Sequence, residues 1–325
     1  MSIRVGVVGI GAMGRHHVRV LSELAEVDLV GLSDIDPKVE DIARHYGVDF
    51  FREREQLLLK KPDLVVVAVP TPVHYEVGMD VLNAGCHLFM EKPITDSVES
   101  ARRLIAEAKR RGLMLFVGHI ERFNPVVRRL KELIEAGRFG EVHSIANLRV
   151  GRYRQGTWET AIILDLGTHD IDIISFLYGK PATTVFAVGH RQSSGVEEQA
   201  SLSLKFSSKE SGYIELSWLT PYKVRKMFIT GTRHFGLVDL VEQSIIIYDG
   251  DKWARTESVE PVEPLVLELK DVLRCIKEGN SPEVTAEDSL YALMVAQSAI
   301  TSIREGKAVE LTGFTEGELY PIRHG

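Results

Sequence analysis

Ile3-Arg4-Val5-Gly6-Val7-Val8-Gly9-Ile10-Gly11-Ala12-Met13-Gly14-Arg15-His16-His17 is the stretch from which the fold is read. Up to Val8, β-branched residues and glycine make a strand pattern, and Val18, Leu21 and Ala25 then recur at helical spacing. Between strand and helix lies Gly-x-Gly-x-x-Gly. In this pattern Gly9 permits a tight turn, Gly11 lets the backbone approach a pyrophosphate, and Gly14 lets helix and strand pack closely. The first N–H groups of the helix, around Ala12 and Met13, then attract the anion. The same glycines also occur as an ordinary turn, so the context decides. A second apolar run, Val27–Ser33, ends on Asp34, 20 residues after Gly14, where a carboxylate meets the adenosine ribose of a dinucleotide.

Asp34 also discriminates between cofactors. A carboxylate accepts from both ribose hydroxyls and repels a 2′-phosphate, and the chain continues Ile35-Asp36-Pro37 with no adjacent cation. NAD is expected, with NADP disfavoured. Asp36-Pro37 itself reads as a helix N-cap followed by proline at the first helical position.

Helix and strand periods keep alternating after Asp36. Residues 37 to 46 and 53 to 60 read as helices around a short strand at 48 to 51. Leu64 to Val69 is a continuous apolar run, the mark of a central parallel strand covered on both faces, and it ends in Pro70-Thr71-Pro72-Val73-His74. A helix at 75 to 84 leads to a strand at 87 to 90 that ends in Glu91-Lys92-Pro93, and an amphipathic helix at 97 to 111 leads to a sixth strand at 113 to 117. This is a doubly wound sheet, whose ligands belong at the carboxyl ends of the strands. Lys92 at such a strand end is placed to donate to a substrate oxygen, Glu91 to accept from ribose hydroxyls, and Lys92-Pro93 is a candidate cis peptide. His74 has either a role at this cleft or a packing or loop hydrogen-bond role.

The period changes after Gly118-His119-Ile120-Glu121-Arg122-Phe123-Asn124-Pro125. A helix capped by Asn124 is expected, then a strand at 142 to 150, a helix at about 166 to 178 and strands near 182 to 190, 197 to 206, 211 to 219, 224 to 231, 235 to 241 and 244 to 249. Helices at 265 to 277 and 286 to 304 follow. The expected architecture is therefore an α/β Rossmann domain, 1–121, and an α+β domain with a large, mainly antiparallel sheet, 122–325. Two domains also suit a chain of 325 residues with 44% hydrophobic content.

Net charge of −7 argues against a general nucleic-acid or membrane-surface binder. No apolar run reaches the roughly 18 to 20 residues that span a bilayer, and Met1 to Arg4 leads directly into a strand, so a cytoplasmic protein is expected. Cys86 and Cys275 read as buried thiols, and no residue cluster has the spacing of a metal site.

Polar groups are dense in one apolar helical segment of the second domain, Leu164-Asp165-Leu166-Gly167-Thr168-His169-Asp170-Ile171-Asp172. Asp165 and His169, four apart, share a helix face, and a carboxylate beside an imidazole raises its basicity and fixes its orientation. That suits a general base for an alcohol. The alternative is a helix-capping Asp165 with a satisfied buried His169.

Gly9 to His16, Thr71-Pro72 with His74, Glu91-Lys92-Pro93 and Asp165 to Asp170 resemble, in order and spacing, the motifs of the glucose-fructose oxidoreductase, inositol dehydrogenase and MocA family. The similarity covers essentially the whole chain. It implies NAD(P)-dependent oxidation or reduction of a sugar-like hydroxyl, with Lys92, Asp165 and His169 as the catalytic group and the open-faced second sheet as a frequent dimer or tetramer interface. The implied cofactor contacts are Gly9, Gly11, Ala12, Met13, Gly14, Asp34, Thr71, Pro72, His74, Glu91 and Lys92. Glu159-Thr160-Ala161-Ile162-Ile163 departs from the family, where many members have consecutive glycines.

The stretch from Gly118 to Pro125 resembles family members that oxidise the 3-hydroxyl of UDP-N-acetylglucosamine. On that resemblance Arg122 and Asn124 lie near the sugar, and Arg149, Arg152, Arg154, Lys223 and Arg225 are candidate cations for the diphosphate. Two other readings stay open: a dehydrogenase of a free polyol or sugar such as inositol, and a non-catalytic NAD-binding regulator. A regulator has no need to keep Lys92, Asp165 and His169 together.

Overall fold

The computed structural model describes residues 2–152, 160–191, 195–207, 209–250, 253–314 and 319–320. The first part of the chain alternates as expected: β1 (Ile3–Val8), α1 (Ala12–Glu23), β2 (Val27–Ser33), α2 (Glu40–Tyr46), β3 (Phe50–Phe51), α3 (Arg54–Leu58), β4 (Leu64–Val67), α4 (His74–Asn83), β5 (His87–Met90), α5 (Val98–Arg111) and β6 (Leu115–Val117). All six strands are parallel, in the order β3-β2-β1-β4-β5-β6. The order reverses direction between β1 and β4, the position at which doubly wound sheets bind their ligands. Leu64 to Val67 are fully buried, as helices on both faces of the sheet require. The helix ends follow local chemistry: the Ser97 hydroxyl accepts from the Ser100 N–H, and Gly112 closes α5 in the left-handed conformation.

The second part begins with α6 (Pro125–Glu135), capped by the Asn124 side chain, and continues through β7 (Val142–Arg152), a π-turn at Ile163–Gly167 and α7 (Thr168–Tyr178). Then come β8 (Ala182–His190), β9 (Gln199–Phe206), β10 (Ser211–Ser217), β11 (Leu219–Gly231), β12 (Phe235–Asp239), β13 (Ser244–Asp249) and β14 (Trp253–Glu257). After α8 (Pro264–Glu278) and α9 (Ala286–Glu305), the short β15 (Val309–Glu310) returns to pair with β8. These strands form one nine-stranded sheet, β14-β13-β12-β11-β7-β10-β9-β8-β15, antiparallel except where β7 runs parallel to β10. One face is packed by residues of α6, α7 and α9. The other leaves Phe186, Val188, Tyr213, Phe235 and Tyr248 exposed.

Three details differ from the sequence expectation. β14 and β15 carry too few residues for a period to show. β11 starts at Leu219, ahead of the expected 224, with an irregular register between Leu219 and Val224. The third concerns the helices that follow the sheet. Chain order groups residues 265 to 290 with the second domain, whereas packing groups Leu265–Leu290 with Met1–Ile120, and Glu121–Pro264 with Tyr291–Gly325. The reason is apolar: Leu265, Leu269, Val272, Leu273 and Cys275 on one stripe of α8 share a core with Val5, Val7, Ile10, Leu21, Phe89 and Phe116.

Cys86 and Cys275 are both buried, and burial pushes the Cys86 thiol up to about 11, which keeps it protonated and inert. Among the described residues no helix is long and apolar enough to cross a membrane.

Leu269 is fully buried, so Leu269→Ala should cost about 2 to 5 kcal/mol. Hydrogen exchange should locate that loss in β1 and β2 and leave β9 and β10 protected; faster exchange in β9 and β10 would refute the grouping of α8 with the first sheet.

Candidate functional site

The glycine loop is built by contacts that admit no side chain. Gly9 has φ +87°, and a Cβ there would lie 2.6 Å from the Ala68 carbonyl oxygen. A Cβ on Gly14 would lie 1.9 Å from the Gly9 carbonyl oxygen, so α1 sits on the end of β1 at a distance only glycine allows. Gly11 is different: a Cβ on it would meet nothing within 4 Å. Its glycine is therefore not demanded by the protein's own packing, and the open space beside it is the approach a pyrophosphate needs. Gly11 is the N-cap of α1 and offers no side-chain cap, and no acidic residue stands in the first turn, which includes Ala12 and Met13. Asp34 at the end of β2 is tied to this loop. Its Oδ2 accepts from the Ile10 N–H at 2.6 Å and its Oδ1 from the Asp36 N–H at 2.8 Å. The three glycines, the helix start and Asp34 thus fit a bound dinucleotide.

The ends of β4 and β5 are joined by a histidine. His74, buried at the start of α4, directs Nε2 at the Val69 carbonyl and Nδ1 at the Pro93 carbonyl, both 2.9 Å away. Burial lowers its pKa against the pull of those two carbonyls. It clamps the loops that follow β4 and β5 to each other. Thr71 and Pro72 form the 3-10 turn that precedes it. The Lys92–Pro93 peptide is cis.

Glu91, expected to accept from ribose hydroxyls, has internal partners at both oxygens. It is buried, its Oε1 is 2.7 Å from His17 Nε2, and its Oε2 accepts from the Lys92 N–H at 3.2 Å. Burial disfavours its charge, but the His17 hydrogen bond and charge and the nearby Lys92 hold it below the usual carboxylate range. With both oxygens engaged inside the protein, it anchors the strand end that presents Lys92. Even the backbone beside it is fitted, since a Cβ on Gly118 would stand 3.2 Å from Glu91 Oε2.

In the second unit Asp165 lies within the π-turn and His169 in the first turn of α7. The α-helical four-residue rule therefore does not carry across from one to the other. A π-turn inside a helix is frequent at functional sites. Asp165 is half-buried and His169 is 9% exposed. Behind them is an interior charge network that the sequence did not disclose. Arg149, 2% exposed, donates through Nε and Nη2 to the two oxygens of Asp170 at 2.8 and 3.0 Å, and through Nη1 to Glu121 at 2.9 Å. Asp170 Oδ1 also accepts from Asn147, and Glu121 from Arg225 and Asn124. Burial works against the charge on Glu121, but Arg149 and Arg225 hold its pKa below the usual range.

Three of the expected substrate contacts, Arg149, Arg122 and Asn124, have internal partners. Arg149 is committed to Asp170 and Glu121. Arg122, 1% exposed, is bidentate to Asp172 at 2.8 and 2.6 Å and lies over the rings of Phe176 and Tyr320 at 5.0 and 4.5 Å from their centroids. Asn124 is buried, donating to Glu121 and to the Leu240 carbonyl while capping α6. In all three, buried carboxylates or a backbone carbonyl engage the polar groups. Arg225 is half-buried, with burial first and the Arg149 charge second lowering its pKa, and Arg152 and Lys223 are exposed on β7 and β11. Arg154 and Glu159 lie outside the described residues.

The glycine cradle and the acid at the end of the second strand define the first unit as an NAD-binding Rossmann domain of a dehydrogenase. Comparison with known proteins agrees. Residues 3–119 match the oxidoreductase family with an NAD-binding Rossmann fold, GFO/IDH/MocA, and residues 127–234 match the C-terminal domain of the same family. The chain belongs to the GFO/IDH/MocA family of NAD-dependent oxidoreductases. It is similar to a myo-inositol 2-dehydrogenase of Thermotoga maritima, with 27% identity over 95% of this chain and 98% of the relative. It is similar to a UDP-N-acetylglucosamine 3-dehydrogenase of Acidithiobacillus ferrooxidans, also with 27% identity, over 84% of this chain and 88% of the relative. The structure of GenD2 from gentamicin A biosynthesis in complex with NAD superposes with a TM-score of 0.86 at 25% identity, covering 96% of this chain and 97% of that one.

Because no described residue lies within 4 Å of a Cβ on Gly11, Gly11→Val should cost stability no more than the exchange of an N-cap glycine, about 1 kcal/mol. It should weaken NAD binding at least about tenfold, a loss of about 1.4 kcal/mol, read by titrating NADH fluorescence; unchanged affinity would remove the cradle role from Gly11. Arg122→Ala removes both guanidinium hydrogen bonds from the buried Asp172 carboxylate, so it should cost about 3 to 5 kcal/mol in thermal or urea unfolding. A normally stable variant with impaired substrate affinity would return Arg122 to the substrate site.

Proposed function

We propose that the protein is a dehydrogenase of a secondary ring hydroxyl on a sugar, and that its substrate is a nucleotide sugar, UDP-N-acetylglucosamine or a close relative. The observation that carries the reaction class is the strand end of β5, where a lysine beside the dinucleotide-binding sheet is held by a buried Glu91–His17 pair. The substrate class draws support from the similarity to the Acidithiobacillus enzyme, and Arg152, Lys223 and Arg225 on β7 and β11 are the candidate cations for a diphosphate. A second reading, a free polyol such as an inositol, is favoured by the commitment of Arg122 and Arg149 to internal carboxylates and by the similarity to the Thermotoga enzyme.

Bound NAD supplies the hydride acceptor. His169, oriented by Asp165, takes the hydroxyl proton, and the Lys92 ammonium donates to the same oxygen as negative charge develops on it. Glu91 steadies Lys92 through its backbone N–H. The remaining cofactor contacts are assigned to Gly9, Gly11, Ala12, Met13, Gly14, Asp34, Thr71 and Pro72. The exposed face of the nine-stranded sheet, with its aromatic row Phe228, Phe235 and Tyr248, is assigned to contact between subunits in a dimer or tetramer. The cytoplasm is the assigned compartment, in keeping with two buried thiols.

A screen of NADH formation over UDP-sugars, inositols and free hexoses tests the substrate class. Turnover of a free polyol with none on UDP-sugars would replace the first reading by the second. Lys92→Ala and His169→Ala should each lower kcat by about 10²- to 10⁴-fold while leaving NAD affinity within about threefold of the unaltered protein. Full activity in both variants would remove these residues from the chemistry.

A further inference from the structure

Glu268 stands on α8 inside the first unit, 2% exposed, with neither carboxyl oxygen in a hydrogen bond among the described residues. The charged groups acting on it are both acidic: Glu91 at the end of β5 and Asp271 on its own helix. Burial first, and then these two charges, push its carboxyl well above the ordinary glutamate range. Its two acidic neighbours are in the opposite condition. Glu91 has His17 from α1 and the Lys92 N–H, and feels the Lys92 charge. Asp271 accepts from Arg274 and from the Glu283 N–H. One interior thus holds two carboxyls with donors and one with none. A carboxylate deprived of both water and donors is too costly to keep ionised, so the group without donors retains its proton. Environments that push neighbouring carboxyls apart in this way divide them into a charged and a neutral member.

We propose that Glu268 is a positioning residue of the Glu91–Lys92 strand end: as a neutral acid it leaves Glu91 ionised with its two oxygens on His17 and on the Lys92 amide. Loss of the Glu268 proton sets a second carboxylate charge against Glu91, and like-charge repulsion loosens the hold on Lys92. The relevance to turnover rests on the role proposed above for Lys92. The proton on Glu268 and its effect on Glu91 do not, and they are measured without substrate.

The full-length protein is compared with Glu268→Gln, which keeps the side-chain shape without the acid. The infrared spectrum at neutral pH should contain the carbonyl stretch of a protonated carboxylic acid that the variant lacks. Hydrogen exchange at the Lys92 amide, corrected for its intrinsic pH dependence, should accelerate in the unaltered protein alone as the pH rises through the raised Glu268 value. Loss of a hydrogen bond to a charged group implies an acceleration of about ten- to hundredfold. Stability should follow the same sign. A carboxyl whose folded pKa is raised contributes fully below its unfolded value and loses that contribution as pH climbs to the folded value. The melting temperature of the unaltered protein should therefore fall relative to Glu268→Gln over that range. Absence of the acid band, or identical pH courses of Lys92 exchange in the two proteins, would overturn the proposal. If Glu268→Gln does not fold, the band in the unaltered protein, assigned by its shift on carbon-13 labelling of glutamate carboxyls, decides.

Discussion

The close approach of α1 to the end of β1 is the constraint on which the cofactor site rests. With 1.9 Å between the Gly9 carbonyl oxygen and the place of any Cβ on Gly14, helix and strand lock against each other through backbone alone. The lock fixes the direction of α1 and hence of its first N–H groups. It also positions Ile10, whose N–H binds Asp34, so that the acid at the end of β2 is oriented by the same turn. One turn further along α1, His17 reaches Glu91 and through it the amide of Lys92. One helix thus organises both the dinucleotide cradle and the strand end that carries the lysine.

Charge is handled differently in the two units. In the second, interior carboxylates are paired with arginines: Asp170 and Glu121 share Arg149, and Asp172 has Arg122. Such pairs contribute little net stability over apolar packing, but breaking one is costly, so they hold α7 to β7 in a single arrangement. In the first unit the carboxyls near β5 have fewer donors, and the shortfall is met by a proton on Glu268. Ion pairing gives rigidity, and a retained proton gives neutrality.

The first sheet was legible because each of its signals is local. Glycine spacing, apolar runs such as 64 to 67 and caps such as Ser97 and Gly112 each act over a few residues. The second sheet was legible as a set of strands, although the parallel pairing of β7 with β10 comes from residues about 65 positions apart in the chain. Side-chain roles were less accessible. Arg122 and Arg149 look like free cations in a polar stretch and a strand, and their partners lie 50 and 21 residues away. A signal was nonetheless present: α7 is buried on nearly all sides, so Asp170 and Asp172 within it require donors from elsewhere. Glu268 gave no such sign, because a glutamate in an amphipathic helix ordinarily faces water, and only the packing of α8 on the first core turns it inward.

That packing of α8 has a consequence for biogenesis. The first 120 residues contain every strand of the Rossmann sheet, but the apolar surface that receives Leu265, Leu269, Val272 and Leu273 stays uncovered until α8 has been made. At about 5 to 20 residues per second the ribosome needs on the order of ten seconds to reach it. During that interval the nascent chain displays a sticky, half-finished layer while the second unit is still emerging. Neither unit is therefore complete when its first stretch has been made: the first waits for α8, and the second for the residues from Tyr291 onward that follow it.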